Sequence, residues 1–156
     1  MILAFDLATN TGWAVVANGK VLESGIQSFA KKRGETNGIM FLKFRRWANK
    51  LMWKMRTIKS YDIQIMAYEQ AHFRGGAATE ICVGLQTRVQ ELAAESQLES
   101  FPVNTASLKK FATGKGNASK KEVMEAAKKI LKREPESDDE ADAIFVGLYA
   151  SQELGI

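Results

Sequence analysis

Asn18-Gly19 sits between two apolar-rich runs, residues 13–17 and 20–29, and constrains the fold more than any other dipeptide in the chain. A two-residue hairpin needs positive φ at both turn positions, which Asn and Gly accept at little steric cost. The two runs are therefore predicted as antiparallel strands. Residues 2–7 form a further apolar run holding one acid, Asp6, and closed by the turn-prone Ala-Thr-Asn-Thr-Gly. Three antiparallel strands open the chain.

Periodicity supplies the remaining elements. Residues 38–59 carry Ile39, Leu42, Trp47, Leu51, Met55 and Ile58 at helical spacing. Residues 62–68 read as a buried central strand ending at Glu69. A helix over 77–97 and a short strand over 100–103 follow, then a helical tail over 107–112, 119–132 and from Ser137 onward. The order β-β-β-α-β-α-β-α-α predicts an α/β fold: a five-stranded mixed sheet, three antiparallel strands then two parallel, flanked by helices. No repeat, linker or low-complexity block divides the 156 residues, which are enough to bury one core, so a single domain over 1–156 is expected.

Acids are concentrated where the tail turns helical. Residues 134–142 hold Glu134, Glu136, Asp138, Asp139, Glu140 and Asp142 with no Lys or Arg, and the remainder has 22 basic against 12 acidic residues, or +10. A basic surface with an acidic pocket suits a polyanion bound across a cation. Ser137 is a natural N-cap, and Glu140 three residues on completes a capping-box pattern. Acids at a helix N-terminus complement its dipole, which accounts for Asp138 and Glu140. Asp142 is different, because it lies among small and apolar residues, where a carboxylate needs a partner or a cation. Asp139 and Asp142 at i,i+3 share a helix face, as do Asp138 and Asp142 at i,i+4. Such oxygens suit Mg²⁺ or Mn²⁺. Asp6 and Glu69 fall on the first and fourth strands, and ligands of such sheets gather at the carboxyl ends of parallel strands.

The single cysteine, Cys82, fits a reducing compartment. No secretory leader or membrane-length apolar run is present in the sequence, so a cytoplasmic protein is expected.

Four stretches stand in order along the chain: Leu-Ala-Phe-Asp-Leu-Ala-Thr-Asn-Thr-Gly-Trp-Ala-Val with Asp6, Ala-Tyr-Glu-Gln with Glu69, Ser-Leu-Lys-Lys-Phe-Ala-Thr-Gly-Lys-Gly-Asn-Ala-Ser-Lys-Lys-Glu-Val, and Asp-Glu-Ala-Asp-Ala-Ile with Asp139 and Asp142. Together they resemble the RuvC family of Holliday-junction resolvases within the RNase H-like nucleases, and the match leaves Asp138 and Glu140 to capping and surface roles. The resemblance implies a structure-selective endonuclease acting on four-way and other branched DNA. It also implies a four-carboxylate site of Asp6, Glu69, Asp139 and Asp142 holding two Mg²⁺ or Mn²⁺ ions, with Asp6 bridging. Lys109, Lys115 and Lys120 become DNA contacts, and Lys120 also assists catalysis. Phe73 becomes an aromatic wedge at the junction centre, with Arg74 beside it on the DNA. A homodimer is implied, paired through the helix bearing Cys82 and Gly84, where the glycine would permit close approach. Asp-Leu-Ala-Thr-Asn replaces the family's usual Asp-Pro-Gly turn, which looks more like the compact bacteriophage resolvases.

Three other readings share features with this one. Sugar kinases and actin-like ATPases have a similar strand order but enclose a nucleotide between two domains, so no nucleotide cofactor is expected here. An RNase H acting on RNA–DNA hybrids shares the metal site, and a non-catalytic junction-binding module shares the surface. His72, the only histidine, is a candidate DNA contact. The helix over 38–59 interleaves Lys43, Arg45, Arg46 and Lys50 with Phe44, Trp47 and Trp53, and either tracks phosphates or buries its aromatics.

Overall fold

A computed structural model describes residues 1–72 and 75–156. Strands β1 (Ile2–Asp6), β2 (Asn10–Ala17) and β3 (Lys20–Ser28) are antiparallel neighbours, and β4 (Ile65–Glu69) and β5 (Glu99–Val103) run parallel to β1, giving the order β3-β2-β1-β4-β5. The hairpin forms as expected, with Asn18 at φ 50° and Gly19 at φ 70°. Strand β2 begins three residues earlier than its apolar run, because Asn10, Thr11 and Gly12 pair with β3 through backbone groups that hydrophobic patterning does not report. Strand β4 is shorter at its start: residues 62–64 meet the chain's first residue instead, Gln64 N donating to Met1 O at 2.9 Å. Pro102 is tolerated because β5 is an edge.

Helices α1 (Asn37–Trp53), α2 (Ala77–Glu95), α3 (Thr105–Thr113), α4 (Lys120–Leu131) and α5 (Asp138–Leu154) cover both faces. Residues of β1 and β4 alternate between two cores, as the two-residue period of a strand dictates. Leu3, Phe5, Met66 and Tyr68 pack under α1 and α2, whereas Ile2, Ala4, Ile65 and Ala67 pack under α3, α4 and α5. Helix α5 is buried nearly all round, contacting β1, β2 and β3.

The buried stripe of α1 is Met40, Phe44, Ala48, Leu51 and Met52, continued by Met55 in a widened π turn (Lys54–Ile58). Ile39, Leu42 and Ile58, which belong to the apolar stripe read at helical spacing, are exposed. Phe44 and Trp47 pack edge-on against Phe5 and Phe29 at centroid distances of 5.3–6.2 Å, so these aromatics are core, while Trp53 faces solvent. Of the helix's cations, Lys43 pairs with Glu35 and Arg45 with Glu91 and Glu95. Gly84 also departs from expectation. A Cβ there would fall 2.2 Å from the Phe41 ring, so the glycine lets α1 approach α2 within the chain.

Candidate active site

The register of β1 and β4 brings the first two acids together. Phe5 pairs with Tyr68, so Asp6 and Glu69 are the next residues at the carboxyl ends of adjacent parallel strands. Both continue the alternation that sends Ala4 and Ala67 toward α5. Opposite Asp6 on β2 stands Gly12. A Cβ on Gly12 would lie 1.8 Å from the Asp139 carbonyl oxygen, so only glycine admits the start of α5 onto the sheet beside Asp6. Ser137 caps that helix, its hydroxyl accepting from Glu140 N at 3.4 Å and donating to Asp139 Oδ2 at 3.2 Å.

Crowding of these acids changes their protonation. Burial pushes the Asp6 carboxyl well above the usual carboxylate range, and the charges of Asp142, Glu69, Asp139 and Asp138 add to the effect in that order. Asp142 is pushed up to about 7 by burial, then by Glu69 and Asp138. Burial and Asp138 also raise Asp139. Asp138 moves the other way, because its hydrogen bond from Lys120 holds it below the ordinary value. The charge of Asp139 bears on Asp6 more strongly than that of Asp138, which is engaged with a lysine.

Glu140 is not the surface residue that its sequence position implied. It is completely buried, and its carboxylate accepts from Arg133 Nη2 at 2.5 Å, Arg133 Nη1 at 3.1 Å, Ser24 Oγ at 2.6 Å and Glu136 N at 2.5 Å. Burial works against its charge, but the bonds from Arg133, Ser24 and Glu136 outweigh it and hold the carboxyl below its usual range. The side chain therefore reaches past the Ser137 cap instead of closing a capping box with it. That reciprocal motif occurs at the head of α4, between Ser119 and Glu122.

Glu69 separates two hollows. One, of about 390 Å³, is lined by Asp6, Leu7, Glu69, His72, Thr79 and Cys82; the other, of about 60 Å³, by Glu69, Thr105, Lys109 and Asp142. Lys109 thus joins the acids, and Lys120 stands at their rim with its side chain 83% exposed. Lys115 does not join them: it lines an open hollow between α3 and α4 and lies 3.6 Å from Glu122. Phe73 and Arg74 lie outside the described residues. Two contributors escaped the sequence reading. Cys82 faces the larger hollow, where burial and the nearby acids Asp6 and Glu69 keep its thiol protonated. Thr105 donates its hydroxyl to Glu69 and meets His72 Nε2 at 2.7 Å. Its signal was register: Val103 pairs with Glu69, so Thr105 lies two residues beyond the pairing partner.

Four carboxylates form a hard, all-oxygen donor set whose mutual repulsion a divalent cation would relieve, so the residues fit such an ion. Among the described residues, no three His, Cys, Asp or Glu side chains are close enough to hold one ion between them.

A mixed sheet of this order, flanked by helices on both faces, is an RNase H-like fold. The chain belongs to the RuvC family: the profile described as Crossover junction endodeoxyribonuclease RuvC matches residues 8–149. Enzymes of this family depend on divalent metal. The crossover junction endodeoxyribonuclease RuvC of Natranaerobius thermophilus is 35% identical over 98 residues, which make up 61% of each chain. The Thermus thermophilus RuvC structure superposes with a TM-score of 0.76 at 18% identity, covering 99% of this chain and 96% of that one. T. thermophilus RuvC in complex with a Holliday junction substrate gives 0.75 at 18%, over 97% and 95%. The yeast mitochondrial Holliday junction resolvase gives 0.58 at 14%, over 94% and 75%. At these identities the structural likeness speaks for the fold alone.

Proposed function

We propose that this chain is a structure-selective DNA endonuclease that resolves four-way junctions, hydrolysing phosphodiester bonds with divalent metal held by Asp6, Glu69, Asp139 and Asp142. The observation that carries this reading is the placement of Asp6 and Glu69 at paired strand ends, beneath a helix start that Gly12 admits. Asp6, on which the charges of the other three acids bear, would hold two Mg²⁺ or Mn²⁺ ions together with Glu69, Asp139 and Asp142. When bound, such ions lower the pKa of an attacking water and offset charge on the leaving oxygen.

The remaining residues bind and position. Lys120 can exchange its hold on Asp138 for a phosphate, since its ammonium is exposed and the pair lies at the rim. Lys109, beside Glu69 and Asp142, is placed for a phosphate next to the cut, and Lys115 for one farther out. Two strands cut symmetrically need two sites, so the working form is a homodimer.

The test is cleavage of a synthetic four-way junction, a replication fork and an RNA–DNA hybrid, in Mg²⁺ and in Mn²⁺, by wild type and by Asp6→Asn. Paired nicks in the junction by wild type, with binding but no cutting by Asp6→Asn, are expected. Preferential cutting of the hybrid would make it an RNase H, and a junction retained on a gel yet uncut in both metals would make it a binding module.

A further inference from the structure

Among the described residues, Glu69 is the one acid of the four that hydrogen-bonds a side chain from another secondary-structure element outside the acid cluster and its lysines. Its partner, Thr105, is the first residue of α3, and that backbone is fixed because Asn104 caps the helix, accepting from Ala106 N at 2.9 Å. A hydroxyl has one proton to give. Since the Thr105 proton goes to Glu69 Oε1, its oxygen is left to accept, and the His72 Nε2 at 2.7 Å must be the donor. The segment bearing His72 is itself tied down. Gln70 N donates to Val103 O at 2.8 Å, and Ala71 N donates to Gln86 Oε1 at 3.0 Å.

We propose that His72 and Thr105 are positioning residues, forming a directed relay, His72 Nε2–H to Thr105 Oγ1–H to Glu69 Oε1, that fixes the rotamer of Glu69 and leaves its second oxygen for metal. The relay rests on the reading of Glu69 as a metal ligand. Its physical basis is that a carboxylate between two hollows has two directions to turn, and a ligand free to turn loses rotamer entropy on capturing an ion. Holding one oxygen from α3 and the 70–72 segment removes that freedom in advance. It also gives His72, exposed and close in sequence to residues outside those described, an effect on the metal site without contact with it.

The experiment measures Mn²⁺ binding by calorimetry, without DNA, for wild type, Thr105→Val, Thr105→Ser and His72→Ala, with thermal unfolding of each. Thr105→Val keeps the shape and removes the proton, so affinity should fall roughly 10- to 100-fold while the unfolding temperature stays close to wild type. Thr105→Ser should restore most of that loss, and His72→Ala should lose less than Thr105→Val because the hydroxyl still donates. Nitrogen-15 NMR of the His72 ring should show a protonated Nε2; a ring with its only proton on Nδ1 would overturn the relay's direction. Unchanged Mn²⁺ affinity in Thr105→Val would overturn the relay even if wild type cuts junctions. A wild type that binds Mn²⁺ with the expected pattern among variants, yet cuts no DNA, would sink the nuclease reading and leave the relay standing.

Discussion

Asp6 and Asp142 keep protons at a pH where free aspartates have lost them, and this has a sign that can be measured. Between the ordinary aspartate value near 4 and the value of about 7 at Asp142, the folded chain holds a proton that the unfolded chain has released. Stability of the metal-free protein therefore falls as pH rises through that window. Asp142→Asn should flatten the fall and, above about pH 7, raise stability by on the order of 2 kcal/mol after allowance for solvent screening. Thermal unfolding in EDTA from about pH 5 to about pH 8 reads this out, and wild-type stability rising across the window would contradict the clustering. The same protons compete with metal, so Mn²⁺ affinity should increase with pH until Asp142 is ionised. Glu140 has the opposite sign, because Arg133 holds its carboxyl low. Arg133→Ala strands a buried carboxylate and should cost about 3 kcal/mol in urea unfolding, far more than loss of an exposed ion pair.

At the scale of elements, α5 is a core helix with a functional end. Buried nearly all round, it has no face on which to shift, so its start is placed by what the sheet allows. Gly12→Ala puts a methyl against the Asp139 carbonyl and should push that start outward. Junction cleavage should drop roughly 100-fold, as for misplacement by about 1 Å, with the chain still folded by circular dichroism. Full activity in Gly12→Ala would mean that the helix start tolerates displacement. Gly147→Ala meets Val16 and Ala4 instead and should cost about 1–3 kcal/mol of stability with less selective effect on cleavage. Strands and helices were legible because each has a local signature, period two or period 3.6, whereas the choice of four acids came from the family resemblance, helix spacing alone leaving Asp138 and Asp139 both open. The phase of α1 was misread because Ile39, Leu42 and Ile58 are as apolar as Met40 and Phe44, and only the sheet decides which stripe is covered. Glu140 was misread because its local pattern announces a cap, whereas its strongest partners, Arg133 and Ser24, are brought to it by the fold. Thr105 was invisible because its role follows from strand register.

For the whole molecule, charge and symmetry remain to be measured. With 22 basic against 12 acidic residues outside 134–142, junction binding should weaken steeply with salt, at least tenfold between about 50 and 200 mM. Asp6→Asn should leave that slope unchanged, since Asp6 lies in the cleft and, as proposed, holds metal and not phosphate. Sedimentation equilibrium should show a dimer; a monomer that still makes paired nicks would remove the need for symmetry. The site also has a history written into its order of assembly. Asp6 and Glu69 belong to strands made early, whereas Asp139 and Asp142 arrive on the helix that docks against β1, β2 and β3 from the far end of the chain. A nascent polypeptide thus carries two of the four acids before the others exist. The contacts that join the two halves are among the longest in sequence. On the proposed reading, the four acids come together only once α5 has emerged and seated, so a chain still on the ribosome would lack two of its metal ligands.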